Sequence, residues 1–128
     1  MRRLSFTCLA LLLLWTTGCA HHGPPAGTVP SGATGSVVLV VENHHWNDVV
    51  VHLLHDGVAD RIGLATAVET STFVIPSRQL GSGGAIQLRA HPVGAPDSYT
   101  TELLTVQPGQ QIQWTLESDL TRSSVGVH

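Results

Sequence analysis

The chain contains no lysine, only two cysteines, and a charged fraction of 12%. Without lysine there is no phosphate-binding loop of the G-x-x-x-x-G-K-[ST] kind, so Gly81-Ser82-Gly83-Gly84 is read as an ordinary loop. No G-x-S-x-G elbow is present either, which removes the commonest hydrolase signature. No apolar run reaches the roughly 20 residues that a membrane-spanning helix needs; the longest, Leu4 to Trp15, is about a dozen. No segment keeps a 3.6-residue hydrophobic period over a helical length, which argues against an α-helical core. Aromatic residues make up only 5% of the chain, so the core is expected to be mainly aliphatic, with Trp114 and Phe73 as its large members.

The N-terminus reads as an export signal. Arg2 and Arg3 precede the short apolar stretch, and the small residues Thr16, Thr17 and Gly18 lead to Cys19. The Thr16-Thr17-Gly18-Cys19 segment resembles the lipobox of bacterial lipoproteins, with Thr16 where that family usually has Leu. The resemblance implies cleavage after residue 18, a diacylglycerol on Cys19 and anchoring to a lipid bilayer through its acyl chains. Ala20 rather than Asp in the next position implies outer-membrane sorting, facing the periplasm, if the host has two membranes.

Loss of residues 1–18 would take Cys8, Arg2 and Arg3 with it. The mature chain would then hold no disulfide and lack the thiolate that a blue-copper site needs. Its four arginines against nine acidic residues leave a net charge of −5 with histidine neutral. That balance argues against nucleic acid as a partner and against general docking onto anionic lipid. Residues 19–35 are rich in Gly, Pro and small polar side chains and read as a tether, on the order of 20 Å in reach.

From residue 36 to 128 the pattern is all-β. Val37–Val41 and Val49–Leu54 are β-branched runs, and Asp56-Gly57 is a two-residue hairpin turn. Arg61–Ala65 and Val68–Ile75 read as the third and fourth strands, and Pro76–Gly81 as one helical turn. Ile86, Leu88 and Ala90 alternate with polar residues in a fifth strand, and Tyr99–Val106 is a sixth. Pro108-Gly109 suits a turn before Ile112, Trp114 and Leu116, the cleanest alternation in the chain, and Ser123–Val127 is a short eighth strand. Seven or eight short strands with regular turns predict a single antiparallel β-sandwich, of immunoglobulin-like or transthyretin-like type.

The closing pattern of a strand, Pro-Gly and Ile-x-Trp-x-Leu resembles the last hairpin of bacterial extracellular β-sandwich modules. The segment Glu42-Asn43-x-x-Trp46-x-Asp48 followed by three valines is similar to a set of small bacterial lipoproteins with one such domain. Neither resemblance carries an activity.

Candidate sites are few. Of eight histidines, His44, His45 and His91 are the candidates for a metal or small-ligand site, since imidazole binds Zn, Cu and Ni. Their spacing prescribes no site, and His52 and His55, three apart on one strand, point to opposite faces. Solvated or half-buried histidines, with no metal and no cofactor, are the plainer expectation. Nine carboxylates permit a glycosidase-like pair, but so small a domain leaves little room for a deep cleft, and no catalysis is expected. The loop Asn43–Asp48 is the best surface candidate, because Trp46 with His44 and His45 offers a hot-spot composition. The alternative is that Trp46 folds back over the end of the core. If Val49, Val51 and Leu53 face inward, Val50, His52 and Leu54 form a second outward row, either an interface or a covered face. Together these features predict a binding or structural module whose partner is an envelope protein or wall polymer, with a periplasmic metal or small-ligand binder as the alternative.

Overall fold

A computed structural model of the protein describes residues 35–128. The expected leader, Cys19 and the expected tether up to residue 34 lie outside the described residues. The described chain forms nine strands: β1 (Ser36–Asn43), β2 (Val49–His55), β3 (Val58–Ala65), β4 (Thr70–Pro76), β5 (Ala85–Pro92), β6 (Tyr99–Thr100), β7 (Leu104–Thr105), β8 (Gln111–Leu116) and β9 (Ser124–Val127). One sheet runs β4-β1-β8-β9; the other runs β3-β2-β5-β6, with β7 also on β5. The fold is a β-sandwich, and among the described residues helical content is confined to short 3₁₀ turns.

Alternation explains why these strands stack. Val49, Val51 and Leu53 of β2, Ile86, Leu88 and Ala90 of β5, and Ile112, Trp114 and Leu116 of β8 all turn fully inward. Leu39 and Val41 of β1 meet them from the centre of the first sheet, and each aliphatic side chain so buried contributes about 1.5–3 kcal/mol. Trp114 is the largest fully buried side chain, and its indole N–H has no hydrogen-bond partner among the described residues.

The structure corrects several expectations. The sandwich is not wholly antiparallel: β1 runs parallel to β8, from Val38 opposite Gln111 to Asn43 opposite Leu116. A parallel pair needs no adjoining turn, so no local sequence signal announces it. Strand three starts at Val58, directly after the turn in which Asp56 (φ 46°) and Gly57 (φ 78°) both take the left-handed conformation. Strand four starts at Thr70, because Val68 occupies a turn with φ 56°. Ser82–Gly84 is a tight turn in which Gly83 (φ 72°) and Gly84 (φ 76°) both take the left-handed conformation, as the expected glycine-rich loop allows.

The expected sixth strand is broken into β6 and β7 by buried Thr101. Its hydroxyl accepts from the Leu88 N–H at 3.0 Å while its own N–H donates to the Leu88 carbonyl at 2.9 Å. A side-chain oxygen thus takes a ladder position that a backbone carbonyl would fill. Phe73 is only half buried; its ring packs at the core margin across Gly63, where an added Cβ would lie 2.5 Å from the ring.

Replacing Trp114 with Ala is expected to cost about 3–5 kcal/mol, read as a lowered urea midpoint. Trp114→Phe should cost distinctly less, because it also removes a buried donor without a partner. Equal midpoints for W114A and the parent would remove Trp114 from the centre of the core.

Candidate functional site

The loop joining β1 to β2 is held by the side chain of Asn43, which is fully buried. Its amide nitrogen donates to the carbonyls of Asn47 (3.1 Å), Ala65 (3.2 Å) and Thr66 (3.1 Å), and its oxygen accepts from the His45 N–H at 2.9 Å. In the sequence Asn43 was legible only as the first residue of the candidate surface loop. In the fold its short amide fastens the end of β1 to the end of β3 and to its own loop.

The next residues add further ties. The Asn47 N–H donates to Nδ1 of His45 at 3.1 Å, which leaves the His45 proton on Nε2. Asn47 donates from its side chain to the Val93 carbonyl, and Val93 donates its N–H to the Asp48 carbonyl. The Asp48 carboxylate accepts from the Ala67 N–H at 2.9 Å. Ser118 donates its hydroxyl to the His44 carbonyl, and His44 donates its N–H to the Leu116 carbonyl. Four connections, around residues 43–48, 66–69, 92–98 and 117–123, are therefore bound together at one end of the sandwich.

Trp46 does not fold back over the core. It is 75% exposed although the residues on both sides of it are tied down. Val68 and Val93, on the adjoining connections, are 70% and 51% exposed. Val68 is a β-branched residue in the left-handed region, a conformation that costs on the order of 1–3 kcal/mol and persists only where its surroundings enforce it. Beside this apolar tip lies a depression of about 320 Å³ edged by His45, Pro92, Asp97 and Asp119. The Asp119 carboxyl is held below its usual range, first by the Thr121 hydroxyl at 2.7 Å and then by the Thr121 N–H.

The histidines are dispersed. His44 sits between two carboxylates, Nε2 at 3.0 Å from Glu42 and Nδ1 at 3.5 Å from Glu117. Hydrogen bonding to Glu42 raises its pKa above the ordinary 6.5, with a further contribution from Glu117. His55 pairs with Asp60 at 3.0 Å. His91 lies on β5 opposite Val50. Among the described residues no three His, Cys, Asp or Glu side chains are grouped to hold a metal ion.

On β2, Val50, His52 and Leu54 turn away from the buried Val49, Val51 and Leu53, and all three are half buried. The strand is central, between β3 and β5. His52 lies opposite Arg61 on one side and Arg89 on the other. Sequence reasoning passed over Arg61, although the Asp56-Gly57 turn, pairing His55 with Val58, already implies it. Arg89 is placed by a long-range pairing and had no such signal. Compared with protein-family models and with curated proteins, the chain matches none.

Asn43→Ala should destabilise the domain by about 1–3 kcal/mol, since it leaves buried backbone groups unpaired. Hydrogen exchange should accelerate first at the amides of His45 and Asn47; uniform acceleration across the strands instead would show that Asn43 does not specifically hold this loop.

An NMR titration should find His44 with a pKa above 6.5, falling in Glu42→Gln. Because the folded-state value is raised, the stabilisation is complete below the unfolded value. It is lost as pH rises through the folded one. A His44 pKa unchanged by E42Q would remove Glu42 as the cause.

Proposed function

We propose that the protein is a lipid-anchored component of a bacterial cell envelope, its β-sandwich serving as a non-catalytic binding or structural module. The partner is another envelope protein or a wall polymer, and the contact surface is the tip that carries Trp46. The observation that supports this most is the exposure of Trp46 on a loop tied down on both sides. A large amphipathic ring held in place loses little freedom on binding, which is why such residues recur at interface hot spots. Val68 and Val93, on connections hydrogen-bonded to the same loop, are exposed apolar side chains as well.

The direction of the strands adds a second support. β1 begins at Ser36, where the tether joins, and ends at Asn43 beneath the tip. Eight residues of strand place these ends roughly 23 Å apart. With Cys19 acylated, the tip is carried on the side away from the tether's entry. The lipid anchor rests on the lipobox resemblance of Thr16-Thr17-Gly18-Cys19, and the outer-membrane location on Ala20. Kinship with immunoglobulin-like or transthyretin-like sandwiches rests on two facing sheets around a buried tryptophan.

The test uses the full-length chain in its native envelope. Cys19→Ser should move the protein from the membrane fraction to the soluble one, and a membrane-bound C19S protein would end the lipid-anchor assignment. Chemical cross-linking followed by purification should recover a specific partner that is lost from Trp46→Ala. Recovery of the same partner from W46A would exclude the tip, and recovery of none would count against a binding module.

A further inference from the structure

We infer that the outer face of the β3-β2-β5-β6 sheet is a binding site for an oxyanion, the phosphate or carboxylate group of a larger ligand, held between Arg61 and Arg89 over His52. This site is separate from the Trp46 tip and does not rest on the function proposed for it.

The strand register supplies the geometry. Arg61, His52, Arg89 and Thr100 are directly opposite one another across four strands and form a single cross-strand row. The two arginines stand two strand spacings apart, about 10 Å between backbones, within reach of one group between them. Both are exposed. Arg89 donates from Nε to the Thr100 hydroxyl at 3.3 Å, a contact that steadies the guanidinium and leaves its terminal nitrogens available.

Charge is the second part of the case. The domain carries nine acidic residues against four arginines, yet none of the six residues paired with Val50, His52 and Leu54 on the flanking strands is acidic. Among the described residues, neither Arg61 nor Arg89 lies within ion-pair distance of a carboxylate. Asp60, next to Arg61 in sequence, sits opposite Leu53 on the inner face and pairs with His55. Each arginine directly opposes His52, so a protonated imidazole would meet a like charge on both flanking strands, an arrangement that destabilises a sheet. Asp56 lines the same depression as Arg89 without reaching ion-pair distance, so a row with no carboxylate in contact is a place where an external anion relieves repulsion. Guanidinium groups offer planar, paired donors that match phosphate and carboxylate oxygens.

His52 completes the site and reports on it. Its Nδ1 is buried with no hydrogen-bond partner among the described residues. Burial lowers its pKa below 6.5, and Arg89, Arg61 and His91 lower it further. An anion in the row reverses the contribution of the arginines, so its arrival raises the His52 pKa.

The experiment follows the imidazole resonances of His52 in the full chain, solubilised in neutral detergent at low salt, during separate titrations with inorganic phosphate and sodium acetate. Saturation is expected at roughly 1–10 mM of one of them, the strength of a few charge-assisted hydrogen bonds, with a raised His52 pKa. Saturation by phosphate alone assigns a phosphoryl ligand, and saturation by acetate alone assigns a carboxylate. The double variant Arg61→Gln/Arg89→Gln should weaken binding at least about tenfold while retaining a dispersed, folded spectrum; if it fails to fold, Arg89→Gln alone is read in the same way. Trp46→Ala should leave the titration unchanged, which separates this site from the tip. No saturable shift with either anion, or an undiminished one in the arginine variants, overturns the assignment.

Discussion

The amide of Asn43 is the point at which fold and candidate site meet. It is buried at the end of β1, and its hydrogen bonds reach the end of β3 and both sides of the Trp46 turn. A buried amide must find partners, because each one missing costs the full desolvation of a polar group. Meeting that demand requires the loop to curl over Asn43 in one conformation. The same curl aims Trp46 outward, since the backbone groups before and after it are already committed. Rigidity of the loop and exposure of the ring therefore have one cause.

The two sheets divide the surface unequally. At the tip, apolar side chains stand on connections bound together by Asn47, Asp48 and Ser118. Along the outer face of the second sheet, the row through His52 is cationic, while Asp60 of β3 sits opposite Leu53 and pairs with His55, and Asp56 of the connecting turn accepts from the Ser82 N–H. β2 contributes to both worlds through its two-residue period: alternate side chains fill the core, and those between them line the outer face. A one-residue slip of β2 would exchange the two sets, so the buried valines that stabilise the sandwich also fix where His52 points.

Local chemistry made much of this legible. Alternation located β2, β5 and β8, and the inward positions of Val49, Val51, Leu53 and Trp114 follow from it. The Asp56-Gly57 turn sets the β2–β3 register and with it the meeting of His52 and Arg61, until the irregularity between Val51 and His52 inserts Ile62. Thr101 and Phe73 were misjudged for a shared reason. Both have strand-forming side chains whose roles depend on a neighbour distant in sequence, Leu88 for one and Gly63 for the other.

The sequence by itself determined the all-β class and most strand positions, because turn residues and two-residue periodicity act over a few neighbouring positions. Only the tertiary structure decided that β1 lies parallel to β8, that Asn43 clamps the tip, and that Arg89 joins Arg61 beside His52. Each of those depends on segments far apart in the chain. Which of them meet is settled by the joint burial of several strands and by the pairing of their backbone groups, and no local stretch of residues encodes that outcome.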